Sequence, residues 1–113
     1  MSFLRVLRFA FAAAMLAAAI PVYGAVAMAP APFANGNADL GKPLNDKSCV
    51  NCHARRYDGD ADRIYFRADR RVKTRAQLLA QVSYCNAQLD AGYFPDEEEH
   101  IAAYLNKQYY RFE

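Results

Sequence analysis

Apolar residues recur at helical spacing in the second half of the chain. The clearest stripe repeats at intervals of three and four residues, the spacing of one helix face: Leu78, Val82, Cys85 and Leu89. Thr74, followed three residues later by Gln77, predicts a capping box at the start of this helix. A more polar stripe of the same helix consists of Gln77, Gln81, Tyr84 and Gln88, so the pattern predicts a helix with one buried face.

Two shorter helices are predicted on either side of that element. Asp39 can cap a helix running through Gly41 toward Cys49, with Pro43 in its first turn, where the missing amide hydrogen has no partner to lose. The acids at 96–99 suit the positive N-terminal end of a last helix. Its predicted buried face consists of Ile101, Tyr104 and Leu105. Because all predicted elements are helices, the predicted fold class is all-α.

The first 27 residues have the pattern of a cleavable secretory signal peptide. Arg5 and Arg8 precede a short apolar run rich in Ala, and small residues follow at Gly24, Ala25 and Ala27. The run is too short to remain as a membrane-crossing helix, so we expect no permanent transmembrane segment. The predicted location is the periplasm. Residues 28–37, rich in Pro, Gly and Asn, are then a flexible lead-in, and 38–113 form a single domain.

Removal of the leader changes the charge balance. The whole chain has 14 Lys and Arg against 12 Asp and Glu. Because Arg5 and Arg8 leave with the leader, the remaining chain is formally neutral. Nucleic-acid binding therefore loses its main support, and no nucleic-acid partner is expected.

The sequence Cys49-Val50-Asn51-Cys52-His53 is a C-x-x-C-H motif, the spacing of c-type haem attachment. Two thiols three positions apart can each form a thioether to one vinyl group of a porphyrin, and the following imidazole can bind the iron. A thioredoxin-like pair would need a βαβ context, and a structural zinc site would need four ligands. A Cys49–Cys52 disulfide remains the simplest alternative. We predict one haem c, bound through Cys49 and Cys52, with His53 as the proximal iron ligand.

The order of elements resembles the class I c-type cytochromes over roughly residues 38–112. In that family a short helix, the haem motif, a long loop, a helix and an acid-started terminal helix follow one another. The first and last helices cross at a small residue opposite an aromatic one, and Gly41 against Tyr104 matches that pattern. The resemblance implies a cytochrome c domain of three to five short helices packed around one covalent haem. It also implies a one-electron carrier, not an enzyme, with a redox partner protein.

In that family a Met before the last helix is the second iron ligand. This chain has no counterpart, because its methionines are Met1, Met15 and Met28, all of which precede the C-x-x-C-H motif. Asn86 is a candidate distal ligand, since it borders an apolar surface where an amide is unexpected. It is otherwise a helix C-cap or a satisfied core amide. His100 is a second candidate, although it falls on the predicted solvated stripe of the last helix. A water-bound or open site is the third.

The stretch Cys85-Asn86, with Pro95 nine residues after the Asn, also resembles the sphaeroides haem protein, a high-spin c-type cytochrome. There an Asn ligates the oxidised iron and leaves on reduction. Its relatives have a second Cys where Tyr93 stands here, so their disulfide around the ligand loop is missing. The resemblance implies an alternative function, binding of oxygen or nitric oxide at an Asn-ligated or open distal site. A haem subunit of a larger oxidoreductase is a further alternative.

Two sets of side chains complete the predictions. Cys85 is an odd thiol, for which we expect either a buried apolar environment or an intermolecular disulfide. We expect one or two of the arginines that follow His53 to pair with haem propionates, with Tyr65 as an additional donor. The others are predicted to form a solvated face or a docking surface for an acidic partner. These arginines are Arg55, Arg56, Arg63, Arg67, Arg70, Arg71 and Arg75.

Overall fold

The structure is a computed structural model that describes Gly24 and residues 28–113. The predicted signal peptide, 1–27, lies outside the described residues apart from Gly24. The regular elements are α1 (Ala38–Ser48), α2 (Val50–Arg56), α3 (Arg63–Phe66), α4 (Arg75–Leu89) and α5 (Pro95–Leu105), and α5 continues into a π-helix, Asn106–Tyr110. All elements of the described part of the chain are helical, which confirms the all-α prediction. None of the helices described is long and apolar enough to cross a bilayer.

The start of α1 differs from the prediction. Its N-cap is Asn37, whose Oδ1 accepts the amide hydrogen of Asp39 at 2.9 Å. Asp39 instead lies in the first turn, where its negative charge suits the helix N-terminus. The predicted cap was therefore wrong. Pro43 consequently lies inside the helix, where its missing N–H removes one bond of the helix ladder.

The first and last helices pack closely at a glycine. Gly41 is buried, and a Cβ atom at this position would overlap the carbonyl group of His100 and lie 2.8 Å from the Ile101 nitrogen. The nearest neighbours of Gly41 are thus backbone atoms one turn before Tyr104. The atoms nearest to Gly41 are those of the His100–Ile101 peptide. Tyr104 lines a surface groove with Asp39 and Lys42, close to Gly41 in α1, and the pairing of Gly41 with Tyr104 stays a prediction.

The core lies mainly between α4 and α5. Its buried apolar residues are Phe33, Tyr65, Val72, Leu78, Val82, Ile101, Ala102 and Leu105. The predicted stripe of α4 is correct for Leu78 and Val82, but Cys85 is half-buried and Leu89 is 42% exposed. The last turns of α4 therefore leave the core and form the wall of a cavity instead.

The capping signals of the later helices are confirmed. Thr74 Oγ1 accepts the amide hydrogen of Gln77 at 3.2 Å. The Gln77 side chain accepts the Lys73 amide at 2.8 Å, one residue before the position expected for a capping box. Pro95 begins α5, and the first turn of this helix is acidic as predicted.

Candidate functional site

A cavity of about 40 Å³ lies where α1, α2, α4 and α5 approach one another. Its walls include three residues that the sequence singled out, Cys49, His53 and Asn86. Cys85 and Tyr93 also line it. The fold thus brings the C-x-x-C-H motif, the end of α4 and the loop before α5 to one place.

Helix α2 positions the two thiols of the motif. Cys49 is the N-cap of α2 and lines the cavity, whereas Cys52, in the first turn, is exposed. Burial raises the pKa of the Cys49 thiol to about 11, with smaller contributions from Cys85 and Cys52. Cys49 is therefore a protonated thiol at neutral pH, one helical turn from a thiol in contact with solvent.

The imidazole of His53 is half-buried and held on one side. Its Nδ1 lies 3.2 Å from the Tyr65 hydroxyl, and the two rings meet edge to face. Burial lowers the pKa of His53, and the nearby Arg56 lowers it further. Within the described residues Nε2 has no hydrogen-bond partner. A neutral imidazole with one nitrogen oriented by a neighbour and the other free is the state in which His binds metals.

Tyr65 supports His53, a role that the sequence did not predict. The side chain is 4% exposed, and its ring stacks on Tyr109 with centroids 4.3 Å apart. Burial raises the pKa of the Tyr65 hydroxyl, which therefore stays protonated. The one sequence signal was the apolar patch Ile64-Tyr65-Phe66, which indicates burial but no partner.

Asn86 lines the cavity with its amide hydrogen-bonded on both ends. Its Nδ2 donates to the Tyr93 carbonyl oxygen at 2.9 Å and to Glu98 Oε1 at 2.7 Å. Its Oδ1 accepts the Tyr93 amide hydrogen at 3.1 Å. This is the satisfied amide that the sequence left open as an alternative. Iron ligation by Asn86 stays a prediction, and it would require the amide to exchange one of these bonds.

Tyr93 ties the loop before α5 to α1. Its hydroxyl donates to the Leu44 carbonyl oxygen at 3.0 Å and lies 2.5 Å from Ser48 Oγ. Together with the two backbone bonds to Asn86, this residue connects α1, α4 and the loop. Hydrogen bonds therefore hold the loop before α5 against α1 and α4.

His100 does not reach the cavity. Its Nδ1 accepts the amide hydrogen of Asn37 at 3.0 Å, and the residue is half-buried between α5 and the start of α1. The predicted solvated position was wrong, because α1 approaches α5 closely at Gly41 and covers this face.

Asn45 is a cavity residue that the sequence did not reveal. It lies in α1, one turn before Cys49, and is 2% exposed. Its Oδ1 has no hydrogen-bond partner within the described residues. A buried carbonyl oxygen without a donor costs about 1–3 kcal/mol. The cavity therefore has one unsatisfied polar atom on an otherwise largely apolar wall.

Of the arginines after His53, some contact other residues through their guanidinium groups and others are exposed to solvent. Arg67 pairs with Asp69 and donates to the Tyr57 hydroxyl at 2.7 Å. Arg70 donates to the Tyr65 carbonyl oxygen at 2.7 Å, and Arg75 lies over the Phe33 ring. No arginine lines the cavity, so their pairing with propionates stays a prediction. The described residues contain no group of three or more His, Cys, Asp or Glu that could hold a metal ion.

Comparisons of the chain with known proteins add no relative. No protein-family model, no curated protein and no solved structure matches it.

Proposed function

We propose that this chain is a periplasmic mono-haem c-type protein that carries single electrons. Cys49 and Cys52 would hold one haem through thioethers, and His53 would be its proximal iron ligand. The observation that carries the proposal is the start of α2. Two thiols one turn apart precede an imidazole at the edge of an apolar cavity. Its Nδ1 lies within hydrogen-bonding distance of the Tyr65 hydroxyl, and its Nε2 has no hydrogen-bond partner among the described residues.

The residues present suit this group by their chemistry. The donor set, the apolar lining and the unsatisfied Asn45 oxygen agree with a site whose packing is completed by a further group. The cavity, about 40 Å³, is far smaller than the roughly 300–1,000 Å³ of ordinary cofactor sites. The walls around Cys49 and His53 must therefore separate to admit a porphyrin.

Each side chain at the site would have a definite task. Bound haem supplies a ferric/ferrous iron couple, and the thioethers prevent its loss. Tyr65 fixes the ring of His53 and so directs Nε2. The apolar wall keeps water from the ring, and exclusion of water lowers the reorganisation that accompanies a change of one charge. The exposed position of Cys52 suggests where an edge of the ring could approach a redox partner.

Visible spectra of the unchanged chain and of two variants test the proposal. The protein is produced in a host with a working haem lyase, denatured, and examined for haem that stays with the chain. We expect covalent haem in the unchanged chain and in Cys85→Ser, which keeps the motif while removing the third thiol. Cys49→Ser/Cys52→Ser should carry none. Equal haem in the double variant and the control would contradict the proposal.

One observation favours binding of a diatomic ligand as a second candidate function. Among the described residues that line the cavity, His53 is the sole His, and there is no Met. His100 is bonded to Asn37, and Met28 is 91% exposed. A haem without a second His or Met leaves a weak or open sixth position.

Carbon monoxide separates the two candidates. A ferrous spectrum that is high-spin and changes on addition of the gas supports ligand binding. A low-spin ferrous spectrum that the gas does not change supports a plain electron carrier. Replacing Asn86 by Ala then tests its ligation, since only loss of a true ligand alters the oxidised spectrum.

A further inference from the structure

The charges of the domain are separated along the chain. Residues 55–75 contain eight Lys and Arg against four Asp, a formal charge of +4. Residues 76–113 contain two Lys and Arg against six Asp and Glu, a formal charge of −4, and no Lys or Arg occurs between 76 and 106. The described part of the chain is neutral as a whole, yet strongly bipolar.

The basic residues gather around two neighbouring surface grooves. Arg56 and Arg67 line both grooves, Arg63 lines the first, and Arg70 and Arg71 line the second. We call these five residues the basic end. Gln81, in the second turn of α4, also lines the second groove, so the basic end lies beside the start of that helix. The grooves have volumes of about 520 and 360 Å³.

The acidic residues gather at the other end of α4. Asp90 is the C-cap of α4, and Asp96 lies in the first turn of α5. We call Asp90, Asp96 and Glu99 the acidic end. Glu98 bonds to Asn86 in the last turn of α4, which places the start of α5 beside the end of α4. α4 has 15 residues, so the helix between the two charged regions is about 22 Å long at a rise of 1.5 Å per residue.

The charges around α4 are opposite to those that would stabilise the helix. Its first turn has no acid and starts with Arg75, and its last turn has no base and ends at Asp90. A charge of the wrong sign at a helix end costs about 0.3–1 kcal/mol. The macrodipole of α4 thus adds to the charge separation instead of reducing it. The acids of α5 suit the start of α5, but helix stability does not account for the arrangement at α4.

Most of these charges have no partner within the described residues. Arg56, Arg63 and Arg71 are exposed and make no ion pair or side-chain hydrogen bond there. The side chains of Asp90, Asp96 and Glu99 also make no ion pair or side-chain hydrogen bond among the described residues. Asp90 and Asp96 are exposed, and Glu99 is half-buried. Both ends therefore have unneutralised charge that a complementary surface can approach.

We propose that the basic end of one molecule docks on the acidic end of a second copy, in a head-to-tail contact. The occupant is a second copy because the chain has both complementary surfaces, five arginines at the basic end and three carboxylates at the acidic end. The two surfaces differ, so each molecule keeps a free end and association can continue beyond a dimer. Attraction between exposed charges is weak and screened by salt, so the contact is transient at physiological ionic strength.

Sedimentation velocity of the purified protein at two salt concentrations tests this contact. At an ionic strength of about 10 mM the Debye length is about 30 Å, and at about 150 mM it is about 8 Å. We expect concentration-dependent association at low salt that disappears at high salt. A chain that stays monomeric at low salt over the whole accessible concentration range would overturn the proposal.

Charge reversal tests the surfaces themselves. Arg56→Glu/Arg71→Glu alters the basic end, Asp96→Lys/Glu99→Lys alters the acidic end, and Lys47→Glu/Lys107→Glu is a control with the same change in net charge as the first pair. We expect each end variant alone to lose association, because the charge of the altered end is then largely removed or reversed. A 1:1 mixture of the two end variants should associate again, and the control should associate like the unchanged chain. Loss in the control as well, or no recovery in the mixture, would contradict head-to-tail docking. Circular dichroism verifies that each variant is folded.

Discussion

Replacing Gly41 by Ala should destabilise the domain strongly, because the space for a side chain is occupied by backbone. The added Cβ would overlap the His100 carbonyl group and lie 2.8 Å from the Ile101 nitrogen, whereas ordinary contacts begin at 3.4 Å. α1 and α5 must therefore separate by at least several tenths of an ångström along their contact. A gap of 0.5–1 Å removes roughly a quarter to a half of the attractive energy of each dispersion contact that it affects.

The cost can be set against the gain in helix propensity. Forcing the helices apart at Ile101 and Ala102, which are 1% and 0% exposed, overpacks the core. Overpacking typically costs about 1–3 kcal/mol, and because the obstacle here is backbone we expect about 3 kcal/mol. Ala is favoured over Gly in a helix by about 1 kcal/mol. The net loss is then about 2 kcal/mol, a large part of the stability of a small domain.

The assay is urea denaturation of Gly41→Ala followed by circular dichroism, with Lys42→Ala as an exposed control in the same helix. A second comparison, Gly41→Ala/Tyr104→Ala, separates a backbone clash from a side-chain clash. Because the obstacle is the peptide of His100, truncation of Tyr104 should not restore stability. A loss below about 1 kcal/mol for Gly41→Ala, or rescue by Tyr104→Ala, would refute the reasoning.

Three further predictions concern the site. In the folded haem-free chain, an alkylating reagent at pH 8 should label Cys52 before Cys49. A pKa of about 11 leaves roughly 0.1% of Cys49 as thiolate at that pH. Equal labelling rates for the two thiols in the native chain would count against the burial of Cys49. In the haem-free chain the pKa of His53 is lower in the folded state than in the unfolded state. As the pH drops through 6.5, the unfolded state therefore binds a proton that the folded state does not bind. The free energy of unfolding should consequently fall as the pH drops through 6.5. His53→Gln should reduce this pH dependence, and an unchanged slope in this variant would contradict the prediction. Tyr93→Phe should lower the free energy of unfolding by about 1–2 kcal/mol, because two hydroxyl contacts are lost. It should also speed amide exchange in residues 91–94. Tyr84→Phe, at an exposed position, is the control and should have neither effect.

The sequence predicted the parts of the fold that local physics determines. The capping residue Thr74, the acidic start of α5 and the inward positions Leu78 and Val82 all depend on neighbours within one or two turns. At α1 local physics leaves a choice, because both Asn37 and Asp39 are good caps. The contact of Asn37 with His100 of α5, a long-range one, accompanies the choice of Asn37.

The parts of the site that the sequence missed depend on long-range packing. Tyr65 reaches His53 because its ring is packed between Tyr109 and Tyr110, more than forty residues later in the chain. Asn45 lines the cavity because Gly41 lets α1 approach α5 closely, and no short pattern marks an unsatisfied amide. Tyr93 bonds to Leu44 and Ser48 across an interval of more than forty residues. No single-sequence rule predicts such pairs.

The mass of the intact, denatured chain tests the central proposal most directly. Covalent attachment through two thioethers predicts that protein matured with a haem lyase has the mass of the leader-free chain plus one haem. It also predicts that the chain then has a single alkylatable thiol, Cys85. A chain with the bare polypeptide mass and three alkylatable thiols would contradict the account.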